Sequence, residues 1–191
     1  MVMLSSTTVS NALEFVRYSA SMCTFFFFFQ IFTRSFVQSP DGHKKSGRYW
    51  PDDEAAYGNV NVKHMESESC PYYTRREFYV NNVKSDENLV LTQFQYNGWP
   101  TVEGEVPQVT RGLIELMDHA TTLNENTNSS GPILVHCELG GDRSSMFVAL
   151  CILAQQLKVE RRVDVVTTTR KLRSQRQGML TSFVSISVYK V

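Results

Sequence analysis

The sequence predicts an α/β domain, and three observations carry the prediction. Residues 59–96 have strand patterning: Asn59-Val60-Asn61-Val62-Lys63-His64 alternates, and two later stretches are rich in aromatic and β-branched residues. Residues 106–120 and 163–175 show helical spacing. Between them, Pro132-Ile133-Leu134-Val135 runs through His136–Ser145 into Met146-Phe147-Val148-Ala149-Leu150, the outline of a strand, a loop and a helix.

Each element has its own justification. The alternation at 59–64 is one strand. Tyr72–Val80 and Leu89–Tyr96 flank a turn region, Asn81-Asn82-Val83-Lys84-Ser85-Asp86, and together predict an antiparallel hairpin. Val106-Pro107 opens an amphipathic helix in which Val109, Leu113, Leu116, Met117 and Ala120 share a face. Asn124–Gly131 is a polar loop, and Ile133-Leu134-Val135 a short buried strand. Ser144–Leu157 is a largely apolar helix and is therefore expected to lie deep. Val163–Gln175 is a further helix in which Val163, Val166, Thr169, Arg170 and Arg173 divide into apolar and basic faces, with Gly178 ending it. There are no internal repeats.

The 191 residues suit one domain with a real core. Hydrophobic residues at 42% and charged residues at 20% are ordinary for a soluble globular chain. Nineteen basic residues balance nineteen acidic ones, so nothing marks a nucleic-acid or membrane-surface binder. The four cysteines, Cys23, Cys70, Cys137 and Cys151, form no CxxC pair, which favours a reducing compartment. The four histidines are scattered; neither a metal nor another cofactor is expected. Asn128-Ser129-Ser130 is a formal glycosylation sequon, read here as a polar loop. Cys151 is expected in the core and Cys70, before Pro71, in an inert loop. Trp50 and Trp99 are packing residues, and Lys171, Arg173 and Arg176 a solvated helix face.

Residues 1–47 read differently. Cys23-Thr24 leads into five consecutive phenylalanines and Gln30-Ile31-Phe32, well short of the ~20 residues of a bilayer span. A signal peptide is disfavoured by the distance from Met1 and the lack of a small-residue cleavage site. A half-buried strand should alternate, and this run does not. Phe-Phe-Phe-Phe-Phe-Gln is encodable as a thymine run followed by CAG, like an intron acceptor. Val9-Ser10 and Val184-Ser185 are encodable as GTA-AGT, like a donor. Residues 9 to about 30, and the tail 184–191, are therefore read as translated intron, and Met1-Val2-Met3-Leu4 as the remnant of an earlier strand.

The loop His136–Ser145 carries the chemistry. A strand that ends in a loop and turns into a helix aims backbone N–H groups at the loop centre, and the helix N-terminus adds positive partial charge. A cysteine there has its thiolate stabilised. Arg143, six residues after Cys137, has the reach to offer a bidentate fork to phosphate oxygens. Ser144 offers a hydroxyl to the sulfur or to a leaving group.

His-Cys-x5-Arg-Ser after a buried strand resembles the signature of protein tyrosine phosphatases. Arg48-Tyr49-Trp50-Pro51 resembles the family's Tyr-Trp-Pro segment. Gln93-Phe94-Gln95-Tyr96-Asn97-Gly98-Trp99-Pro100 resembles the strand entering its mobile Trp-Pro-Asp loop. Val163-Asp164-Val165 through Lys171-Leu172-Arg173-Ser174-Gln175-Arg176 resembles the helix after the signature. The resemblance covers residues 48–183, a partial domain that corresponds to the C-terminal portion of the family's fold. Its loop is most similar to the membrane-distal, second and often inactive domain of receptor-type members. What the resemblance implies is a mixed twisted sheet flanked by helices. It also implies a mechanism: cysteine attacks phosphotyrosine, an aspartate protonates the leaving phenolate, and water hydrolyses the phosphocysteine.

The resemblance assigns Cys137 as nucleophile, Arg143 as phosphate clamp, His136 as the histidine tuning the cysteine, and Ser144 as the hydroxyl. Trp99 takes the place of a loop hinge. Thr101 stands at the general-acid position, where its hydroxyl cannot serve, and losing a positioned acid costs ~100- to 10,000-fold. Glu103 and Glu105 lie near but do not match that position. The phosphate loop itself is Glu138, Leu139, Gly140, Gly141 and Asp142, where active members carry small residues. Asp142 replaces a glycine, and a carboxylate pointing inward at about 4 Å would oppose an anion by ~4 kcal/mol in an effective dielectric near 20; one facing water would not. Thr181, Ser182 and Ser185 stand where the family's water-positioning glutamine loop has its polar residues. No phosphotyrosine-clamping loop is found in residues 1–47.

The expected function is a phosphatase-like domain with impaired catalysis and a regulatory or docking role in tyrosine-phosphorylation signalling. The alternatives are a weakly active phosphatase working through phosphocysteine, and a non-functional splice fragment. Expected partners are a phosphotyrosine protein or peptide and a catalytic phosphatase domain of the parent receptor, with no nucleic acid. The expected location is cytoplasmic, beneath a membrane receptor.

Overall fold

The computed structural model describes residues 2–4, 27–30, 50–85, 87–100, 106–126, 133–137 and 141–181. Its strands are β1 Val2–Leu4, β2 Phe27–Gln30, β3 Glu54–Tyr57, β4 Val60–Ser69, β5 Tyr73–Asn82, β6 Glu87–Tyr96 and β7 Ile133–His136. The helices among the described residues, here α1 to α3, are Arg111–Asn126, Asp142–Glu160 and Val165–Gln175.

The sequence-predicted hairpin is β5 and β6, paired antiparallel from Asn82↔Glu87 to Tyr73↔Tyr96. β4 adds to β5, and β3 to β4, also antiparallel. On its other edge β6 meets β2, which lies parallel to it and to β7; β1 closes that side, parallel to β7. The sheet is therefore mixed, in the order β1-β7-β2-β6-β5-β4-β3. Val2–Leu4 is a strand at one edge, and Phe27–Gln30, whose lack of alternation argued against a strand, is one in an interior position.

Alternation along the strands divides the core in two. On one face Val60, Val62, Phe78, Val80, Leu91 and Leu134 pack together, with Trp50 against them. On the other, Tyr73, Phe94, Tyr96 and Val135 meet Leu113, Leu116 and Ala120 of α1, Met146–Ala149 of α2 and Leu172 of α3. Tyr73 fixes α1 to the sheet: its hydroxyl lies 2.8 Å from His119 Nδ1, and burial pushes its pKa up to about 12.

Three helix expectations need correction. α1 begins at Arg111, its first turn closed by Leu113 and Ile114 N–H groups on the Thr110 carbonyl, so Val109 precedes the helix and stays 56% exposed. α2 is deep only in its first half, and Ile152 and Leu157 are exposed. The reason is length: nineteen residues at about 1.5 Å each outrun the four-residue β7 beneath, about 13 Å long. In α3 the cap at Asp164, which accepts from Thr167 N–H at 2.9 Å, sets the phase. Thr168, Thr169 and Leu172 are consequently buried, whereas Val163 and Val166 face solvent.

Candidate functional site

β7 ends at His136, Cys137 follows, and α2 starts at Asp142. The intervening Glu138, Leu139 and Gly140 lie outside the described residues, as do Thr101, Glu103, Glu105, Ser182 and Ser185. The structure nevertheless shows that the chain folds back on itself. Cys137 Sγ donates to Ser144 Oγ at 3.2 Å across seven residues, and both side chains are buried. Arg143, in the first turn of α2, brings its guanidinium carbon to 5.9 Å from the Trp99 ring centroid, at the edge of cation–π range. Trp99 is itself buried and stands edge-on to Tyr96 at 6.5 Å. The structure thus gathers Cys137, Arg143, Ser144 and Trp99 from two separate parts of the chain.

His136 is almost completely buried. Loss of hydration disfavours its charged form and lowers its pKa to about 4. At neutral pH it presents a dipole, not a full charge, next to Cys137.

Asp142 is turned toward a distant segment. Its carboxylate accepts the Thr181 N–H at 2.6 Å, and the Thr181 hydroxyl lies 3.3 and 3.2 Å from its two oxygens. One turn on, Ser145 Oγ accepts the Leu180 N–H at 3.2 Å and sits 3.1 Å from the Asp142 carbonyl. From the other side Arg173 donates through Nε to the Met179 carbonyl at 3.2 Å and through Nη2 to that of Leu180 at 2.5 Å. Gly178 and Leu180 both have positive φ, at 82° and 51°. Leu180 is fully buried, and the left-handed conformation of such a residue persists only where its surroundings hold it.

Sequence reasoning missed two of these residues. Arg173 is exposed, as a solvated basic face predicts, but its guanidinium also holds a turn. Ser145 was not singled out, although it is buried and bonds across 35 residues. Neither had a local signal, because their partners are set by the turn at 178–181. Among the expected packing residues, Trp50 lies beneath the Arg76 guanidinium at 4.6 Å. Cys151 is half-buried, and burial pushes its thiol up to about 12, far from reactive. Among the described residues no group of His, Cys, Asp and Glu could hold a metal ion, and no helix is long and apolar enough to cross a membrane.

Residues 35–189 match the protein-tyrosine phosphatase family, a span wider at both ends than the resemblance at 48–183. The chain is 60% identical to tyrosine-protein phosphatase 69D of Drosophila melanogaster over 146 residues, which is 75% of this chain and 10% of that protein. It is 33% identical to human receptor-type tyrosine-protein phosphatase alpha over 140 residues, 73% of this chain and 17% of that one. Mouse receptor-type tyrosine-protein phosphatase F is also 33% identical over 140 residues, 73% of this chain and 7% of its own length. The chain spans no more than about a sixth of these relatives.

Proposed function

The chain belongs to the protein-tyrosine phosphatase family, and from that premise we propose that it is a catalytically impaired domain of the membrane-distal, receptor-type kind. Its role is regulatory or docking, on the cytoplasmic side of a membrane receptor. Its partners are phosphotyrosine proteins or peptides and the catalytic domain of the same receptor. One observation carries this reading: Thr101 stands where the family's mechanism needs a proton donor, while the nucleophile's own surroundings persist. A hydroxyl does not deliver a proton to a phenolate at neutral pH, so expulsion of tyrosine is left without its acid.

A second reading is favoured by the geometry at Cys137, whose sulfur lies 3.2 Å from Ser144 Oγ with Arg143 in the following turn. In that reading the chain is a slow phosphatase. The thiolate attacks phosphorus, the P–O bond to the phenol breaks with its electron pair going to oxygen, and water later displaces the phosphate from sulfur.

Hydrolysis of a phosphotyrosyl peptide by wild type and Cys137→Ser separates the two. The expected result is no difference between them. Turnover in the wild type that the substitution abolishes would establish the second reading instead. We also propose that residues 9 to about 30 and 184–191 are translated intron, which would make the product a splice fragment; sequencing the transcript decides it, and finding those codons inside well-supported exons would refute it.

A further inference from the structure

We propose that Asp142 is a positioning residue: its carboxylate latches the Gly178–Thr181 turn to the first turn of α2 and is thereby held off the anion that the Cys137–Arg143 loop would take. The first half of the proposal stands on contacts alone. The second rests on reading that loop as an anion cradle.

The latch follows from how completely the turn is gripped. Thr181 N–H goes to the Asp142 carboxylate and Leu180 N–H to Ser145 Oγ. Residues 142 and 145 are three apart on α2 and so share a face. The carbonyls of Met179 and Leu180 go to Arg173 of α3. The turn is therefore a bridge, with its N–H groups bonded to one helix and its carbonyls to the other. A chain with positive φ at Gly178 and Leu180 does not hold that shape unaided. The close packing at this junction is also visible at Gly141, where a Cβ would meet the Gly178 carbonyl oxygen at 3.2 Å.

Asp142 is the one member of α2 in this bridge that brings a full charge. Two features of its position suit an acceptor there. It lies in the first turn of a helix, where the N-terminal partial charge favours a carboxylate. It also accepts a short bond from a backbone N–H, and a bond to a charged group is stronger than a neutral one. An acid in this loop would ordinarily oppose phosphate. Here its acceptor lone pairs are directed at Thr181.

Two variants separate the latch from simple repulsion. Asp142→Asn removes the charge but keeps an oxygen that accepts from Thr181 N–H; Asp142→Ala removes both. Amide hydrogen exchange at Leu180 and Thr181 should rise about tenfold or more in Asp142→Ala and stay near wild type in Asp142→Asn. Affinity for inorganic phosphate, measured by calorimetry, should be nearly the same in Asp142→Asn and wild type. Unchanged exchange in Asp142→Ala would overturn the latch, and phosphate binding about tenfold tighter in Asp142→Asn would show that the charge does reach the anion. If no variant binds phosphate, the cradle reading fails, while the exchange data still decide the latch. Should Asp142→Ala not fold, Asp142→Gly, which removes the carboxylate and adds no side chain, carries the exchange test: exchange at residues 180 and 181 should rise, and no change would overturn the latch.

Discussion

His136 makes the stability of this domain depend on pH in a way that can be worked out. It is the last residue of β7 and 1% exposed, and burial holds its pKa at about 4 against 6.5 in the unfolded chain. As pH falls below about 6.5 the unfolded chain takes up a proton that the folded chain refuses until about pH 4. Stability is therefore full above that window, falls through it, and levels off beneath it. A drop from 6.5 to about 4, at about 1.4 kcal/mol per pH unit, amounts to roughly 3 kcal/mol, a large share of a typical domain's stability. Most of this, roughly 2.5 kcal/mol, should be lost between pH 7 and pH 4.5. The assay is urea unfolding followed by the fluorescence of Trp50 and Trp99, at both pH values, in wild type and His136→Gln. Carboxylates titrate in both proteins, so the difference between the two slopes isolates the imidazole. Wild type should lose about 2.5 kcal/mol more than the variant. Equal losses, or an imidazole that titrates near 6.5 in the folded protein by NMR, would refute the reasoning.

Three other outcomes are expected. Thr101→Asp should raise turnover of a phosphotyrosyl peptide by ~100-fold or more if the missing acid is the main defect, and Cys137→Ser should remove the gain; no gain would place the defect elsewhere in the loop. Gly112→Ala should destabilise by ~1–3 kcal/mol in urea unfolding, because a Cβ there meets Tyr72 Cγ at 2.5 Å, outweighing the gain of about 1 kcal/mol in helix propensity. Leu116→Ala, at a fully buried position on the sheet side of α1, should cost ~2–5 kcal/mol and lower the melting temperature accordingly.

What was legible in the sequence is what a local pattern encodes. The β5–β6 hairpin showed because aromatic and β-branched runs flank a polar turn. The strand, loop and helix around Cys137 showed because an apolar run gives way abruptly to His-Cys and to Gly-Gly. β2 did not show, because alternation marks a strand with one wet face, whereas an interior strand of a parallel arrangement reads as an unbroken apolar run. Phe25–Phe29 is such a run. β3 is short and carries Glu54-Ala55-Ala56, residues of low strand propensity; its one signal was the Gly58-Asn59 turn, with Gly58 at φ 64°. In the site, the spacing of Cys137, Arg143 and Ser144 was readable. The roles of Asp142 and Arg173 were not, since each depends on a turn whose backbone leaves the common regions of φ/ψ space.

The placement of β2 changes how residues 1–47 bear on the site. Among the described residues, the ladder partners of β7, which delivers His136 and Cys137, are β1 and β2, and both lie before residue 35, where the family match begins. β2 is also the link to β6, which leads to Trp99: Phe29 pairs with Val135 on one side and Phe94 on the other, and Gln30 with His136 and Gln95. Adjacent strands lie about 4.8 Å apart, so one strand between β7 and β6 sets them about 10 Å from each other. Ladder bonds are made by backbone, so a segment can fill this slot on length and β-propensity without resembling what the family places there. Encoding by intron and service as a strand are thus compatible. What is observed is backbone pairing of Phe27–Gln30 with both neighbours, and that pairing separates the strand ending at His136 from the strand that leads to Trp99.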